Sequence, residues 1–168
     1  GCASRPGMAY PALLGRRFDR PSINLGFSGN GKMEPEMAAL LAELDPAVYV
    51  LDALPNNSPE ESREHLAPLI KTLREKHPDT PIVLVGAITP QGMWFIAGDH
   101  WQNPNNAALK DVFDALIRDG AKGIYLVPGE DLYGKDGLGT VDGIHATDLG
   151  FLREADAIEP ALRKALGE

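Results

Sequence analysis

The sequence predicts an α/β layered domain built on a parallel sheet, and three observations carry that expectation. Continuous apolar runs such as "VYVLDAL" and "PIVLVG" have the length and β-branched character of strands buried on both faces. Segments of helical periodicity alternate with these runs and provide the crossovers that parallel strands require. The resulting order, α-β-α-β-α-β-α-β-α, places helices on the faces of the sheet.

The periodicity gives a helix over 8–18, a strand over 22–25 and a helix over 34–44. A strand over 47–54 leads to a helix over 59–76, its start marked by Ser58 as cap and by Pro59, Glu60 and Glu61 in the first turn. A strand over 81–86 is followed by a connection, 89–104, that is rich in aromatics and longer than an ordinary loop. A helix over 106–119 stops at Asp119-Gly120, a strand covers 123–127, and a last helix over 148–166 starts behind Thr147. No repeat or linker interrupts the pattern, so 1–168 reads as a single domain. It opens on a helix, whereas doubly wound sheets open on a strand that commonly lies mid-sheet. The expectation is that this first, central strand is missing from the sequence.

Composition narrows the function. The 168 residues, 43% hydrophobic and 24% charged, suffice for one well-buried core. A net charge of −8 opposes attraction to nucleic acid or anionic membranes, and neither is expected as a partner. Cys2, the sole cysteine, excludes an internal disulfide and a cysteine-rich metal site. No stretch approaches the roughly 20 apolar residues of a membrane span, and the first residues lack the order of a signal peptide. A soluble protein is expected, periplasmic or secreted if a leader was lost upstream; the oligomeric state is open.

Three segments carry candidate chemistry. "LGFSGNGKM", 25–33, satisfies the phosphate-loop spacing with Gly26, Gly31 and Lys32, but Met33 stands where a metal-binding hydroxyl belongs. The same stretch could be a nucleophile turn on Ser28, although Asn30 breaks the G-x-S-x-G pattern. It could also be a loop whose backbone N–H groups face developing negative charge, or simply a tight turn. "TVDGIHATDLG", 140–150, sets Asp142 three residues before His145, a spacing at which a carboxylate can hold an imidazole in one tautomer; an Asp-Gly turn beside a surface histidine has the same pattern. "LDALPNN", 51–57, ends a buried strand in Asn56 and Asn57, where an amide can either donate to an oxyanion or serve the turn. In the 89–104 connection, Trp94, Phe95 and Trp101 could shape an acyl or sugar pocket or anchor the loop. His100 beside Asp99 lacks further metal ligands, and His65 and His77 read as solvated histidines on a charged helix.

"SINLGFSGNG", "VYVLDALPNN" and "DGIHATDLG" resemble blocks two, three and five of the SGNH, or GDSL-like, esterases and lipases, and "GCASRPGMAYPALLGRRF" resembles the segment after the catalytic serine in a bacterial subgroup. The resemblance implies a three-layer α/β/α, flavodoxin-like fold and a carboxylic ester hydrolase of Ser-His-Asp mechanism that needs no cofactor or metal. It implies His145 as general base, Asp142 as its orienting acid, and Gly29 and Asn56 as oxyanion donors. The substrate it implies is a small acyl ester or an acylated carbohydrate. The first block, a strand ending in a Gly-x-Ser turn, is absent; the nucleophile is expected upstream of Gly1, and Ser4 is only a minor substitute. The 168 residues alone are then expected to be inactive and unstable, and a noncatalytic ligand- or carbohydrate-binding remnant is the alternative.

Overall fold

The structure, a computed structural model, describes residues 3–93, 95 and 103–168. Its center is a parallel sheet of β1 (Tyr49–Leu51), β2 (Ile82–Val85) and β3 (Ile124–Val127) in the order β1-β2-β3, with Tyr49 opposite Ile82 and Ile82 opposite Ile124. Around it lie α1 (Tyr10–Arg17), α2 (Pro35–Leu41), α3 (Pro59–Lys76), α4 (Pro104–Arg118) and α5 (Asp148–Leu166). All four residues of β2 are buried, as the unbroken "IVLV" requires.

The two-residue period of β2 divides the core in two. Ile82 and Leu84 pack with Leu66, Leu73 and Leu109 of α3 and α4, whereas Val83 and Val85 pack with Leu14 of α1 and Ile158 of α5. Helices therefore cover both faces, giving the three-layer α/β/α architecture. Both expected caps form. Ser58 and Glu61 make a reciprocal capping box at α3, and Thr147 Oγ1 accepts from Gly150 N (3.1 Å) at α5.

Two expectations need correction. The 22–25 segment is not a strand: it runs exposed outside the sheet, with Ile23 71% accessible. An apolar run becomes a strand only against a ladder partner, and among the described residues β1 pairs with β2 alone, leaving its other edge open. The run predicted over 47–54 pairs only at Tyr49–Leu51, because Pro55 has no N–H to continue the ladder and Leu54–Asn56 turns into a 3-10 helix.

The strand ends that lead to the site are tightly packed. A Cβ on Gly86, just after β2, would lie 2.8 Å from Gly129 Cα, and one on Gly129 would collide with Ala87. The absence of side chains lets the two loops leave the sheet side by side.

Candidate active site

Residues 140–146 form a short hairpin between β3 and α5. Thr140 bridges Ala146 in antiparallel fashion, and Val141 N donates to His145 O (2.9 Å). At its tip Gly143 has φ of +91°, which a side chain would strain. The hairpin brings Asp142 and His145 together as the spacing predicts. Asp142 Oδ1 accepts from Ile144 N (3.0 Å) and His145 N (2.8 Å), while Oδ2 lies 2.6 Å from His145 Nδ1. The backbone N–H of His145 first, then its ring, then the N–H of Ile144 hold the Asp142 carboxyl well below the usual carboxylate range. A carboxylate bonded at Nδ1 leaves Nε2 as the ring's basic face.

The second part of the site lies beyond β1, on the same carboxyl edge of the sheet. Residues 27–30 make a turn with Ser28 at φ +49° and Gly29 at φ +89°, closed by Asn30 N to Phe27 O (3.3 Å). Two consecutive left-handed residues define a type I′ turn, the reason for Ser-Gly at this point. The Gly29 N–H meets no acceptor among the described residues. Asn56 Oδ1 accepts from Gly31 N (3.1 Å), which turns Nδ2 away as a donor without a partner among the described residues. Asn57, buried to 6% exposure, donates from Nδ2 to Gly31 O (2.8 Å) and Ala53 O (2.7 Å). Gly31 is thus pinned through both its N–H and its carbonyl. No hydrogen bond among the described residues joins this loop to the Asp142–His145 hairpin.

The competing readings of the glycine loop fail on contacts. Lys32 Nζ lies 3.6 Å from Glu61, and Met33, 5% exposed and packed in the core, brings no hydroxyl to a metal. Ser28 follows no strand and precedes no helix directly, as a nucleophile elbow would. Ser4 is engaged by Asp148, its Oγ donating at 2.5 Å and its N at 2.8 Å. His65 and His77 are not simply solvated: Lys32 O lies 3.0 Å from His65 Nδ1 and Ala42 O lies 3.0 Å from His77 Nε2. Phe95 is 80% exposed, while Trp94, Asp99, His100 and Trp101 lie outside the described residues. Among the described residues no three metal-binding side chains cluster, and no helix is long and apolar enough to cross a membrane.

Sequence reasoning named Asp52 only as a strand-end acid for a phosphate loop, and it missed Glu154 and the electrostatic pairing of the two. Asp52, directly after β1, accepts from Tyr10 OH (3.1 Å) and is pushed up to about 6 by desolvation. Glu154 of α5, 3% exposed, is also raised by desolvation and then by Asp52, and its Oε2 has no hydrogen-bond partner among the described residues. Asn105 was missed as well; its Nδ2 donates to Leu54 O (3.1 Å) and Asn57 O (2.9 Å), clamping the Asn56 turn from α4. The only signal for it was an asparagine run, "NPNN", at a helix start.

Comparison with known proteins bears on the family and the fold. No curated protein matches the chain. Among solved structures, a Bacteroides ovatus protein assigned as a GDSL-like lipase is 41% identical with a TM-score of 0.90, over 98% of this chain and 49% of that one. The salicylyl-acyltransferase SsfX3 of a tetracycline biosynthetic pathway is 20% identical, with a TM-score of 0.80 over 98% of this chain and 51% of that one. A family two carbohydrate esterase from Clostridium thermocellum, solved with cellohexaose, is 18% identical, with a TM-score of 0.67 over 96% and 55%. The last two are likenesses of fold, and the chain spans about half the length of each protein. The GDSL-like lipase/acylhydrolase family model matches residues 1–163, and the chain belongs to that family.

Proposed function

We propose that these residues form the base and oxyanion half of a carboxylic ester hydrolase. The observation that supports it most is the Asp142–His145 pair, joined at 2.6 Å with Nε2 left as the basic face. In this scheme a serine hydroxyl loses its proton to His145 Nε2 as its oxygen bonds to the ester carbonyl carbon. The carbonyl electrons move onto oxygen, where the Gly29 N–H and Asn56 Nδ2 donate to the oxyanion. Collapse breaks the ester C–O bond, and His145 passes the proton to the departing alkoxide. Water then repeats the sequence on the acyl serine, releasing the acid and restoring the hydroxyl.

The nucleophile in this reading belongs to a strand that pairs with the open edge of β1, outside residues 1–168. What supports this is the edge of Tyr49–Leu51 left unpaired among the described residues, together with the engagement of Ser4 by Asp148. The substrate is a small acyl ester, acylated carbohydrates included. The test is fluorophosphonate labelling and p-nitrophenyl acetate hydrolysis with protein expressed from the full coding sequence. One labelled serine outside 1–168, and turnover abolished by His145→Ala, are expected. Label on Ser4 or Ser28 would refute the placement, and ligand binding without hydrolysis would indicate a noncatalytic binding module.

A further inference from the structure

We propose that Gln91 is a positioning residue that sets the direction of the Asp142–His145 pair. Its consequence for catalysis rests on the esterase reading; its effect on the histidine ring does not.

Asp142 and His145 are about half exposed, and neither accepts or donates a hydrogen bond outside its own hairpin among the described residues. The geometry of the pair therefore depends on the shape of its own hairpin, and both that shape and the direction of the pair are set where the hairpin is anchored. Gln91 grips it at two points. Its backbone N donates to Gly143 O (2.7 Å) at the tip, and its side-chain Oε1 accepts from Thr140 Oγ1 (3.2 Å) at the foot. A Cβ on Gly143 would stand 2.9 Å from Gln91 O, so the tip rests against the Gln91 backbone.

The other half of the Gln91 amide faces a fixed platform. Nε2 donates to Gly134 O (2.8 Å) and, at longer range, to Tyr133 O (3.4 Å). Arg153 of α5 holds this platform through Tyr133 O (2.9 Å) and a two-pronged pair with Asp136 (2.7 and 2.6 Å). One amide thus ties the hairpin, by its acceptor, to a platform braced on the last helix, by its donor. A glutamine is suited to this because its amide offers an acceptor and a donor on one planar group.

The test uses protein expressed from the full coding sequence with 15N-labelled histidine. Long-range 1H–15N spectra at about pH 8.5, above the ordinary imidazole range, report the His145 tautomer, assigned with His145→Ala. The wild-type ring should carry its proton on Nδ1. Gln91→Ala should move population toward the Nε2–H form and lower kcat for p-nitrophenyl acetate by about 10- to 100-fold with little change in KM. Thr140→Val should do the same to a smaller degree, and Thr140→Ser should restore the wild-type ratio. If Gln91→Ala does not fold, the Thr140 pair decides. An unchanged tautomer ratio in folded Gln91→Ala or Thr140→Val overturns the proposal. A wild-type protein without esterase activity removes the hydrolase reading, and the tautomer ratio still decides the role of Gln91.

Discussion

Asp142 holds His145 through opposite oxygens of one carboxylate: Oδ2 meets the ring Nδ1 at 2.6 Å and Oδ1 accepts the backbone N–H at 2.8 Å. The two bonds separate folding from chemistry. Asp142→Asn retains an oxygen for the Ile144 and His145 amides, so the hairpin should persist, but it presents an NH2 to the ring and favors the wrong tautomer. We expect kcat to fall by about 10²- to 10⁴-fold with KM nearly unchanged, the melting temperature staying within a few degrees. A variant with full activity would show that the pair is a turn and not a catalytic couple.

The depressed Asp142 carboxyl has its own consequence. The group remains ionized well below the ordinary carboxylate range, so its hairpin-stabilizing contribution is present above that range and lost only as pH falls through the lower folded value. Asp142 should therefore add no proton to the acid limb of kcat/KM between about pH 4 and pH 7. A titration of the Asp142 carboxyl in that window, followed by its 13C chemical shift, would contradict this assignment.

Asn56 is bound to the glycine loop by its acceptor, and its Nδ2 donor has no partner among the described residues. Asn56→Asp keeps an oxygen for Gly31 N and removes the donor, whereas Asn56→Ala removes both. Both should cost about 10²- to 10³-fold in kcat, but only Asn56→Ala should also loosen the 29–31 loop, measured as faster amide exchange at Gly31. Equal activity of wild type and Asn56→Asp would exclude the side-chain amide from the oxyanion site.

Much of this architecture was legible because it depends on local pattern. The helix starts at Ser58 and Thr147, the buried "IVLV" strand and the Asp142–His145 couple each follow from a few neighboring residues. What was not legible depends on partners distant in sequence. The 22–25 run has the apolar content of a strand, and that content does not reveal whether a ladder partner exists. Gln91 and Asn105 act across 49 and 51 residues, through the Thr140 and Leu54 contacts, with no periodicity to mark them. Nothing in the sequence separates Glu154 from the other charges of its helix, and only packing shows that it is buried.

Gly86 and Gly129 lie at the ends of β2 and β3 with no space for a side chain between them. Gly86→Ala should therefore destabilize by about 1–3 kcal/mol through overpacking, read as a lower urea midpoint at unchanged slope. Gly137→Ala, where a Cβ has open space and only the positive φ opposes it, serves as the milder control. A Gly86→Ala midpoint no lower than that of the control would show that the two loops separate at little cost.

The acidic group behind the site predicts an unusual pH response. Burial raises Asp52 from an ordinary 3.8 to about 6, so the folded state holds that proton more tightly than the unfolded chain does. Between about pH 4 and pH 6 the folded state binds more protons, and the Asp52 contribution to stability falls as pH rises through this window. The difference in proton affinity amounts to on the order of 2–3 kcal/mol at neutral pH, and Glu154 is shifted in the same direction. Asp52→Asn still offers an oxygen to Tyr10 OH but has no charge to bury. Its stability relative to wild type should be unchanged at about pH 4 and higher at about pH 7.5, measured by urea unfolding at each pH. Equal pH slopes for wild type and Asp52→Asn would show that the Asp52 proton has the same affinity in the folded and unfolded states.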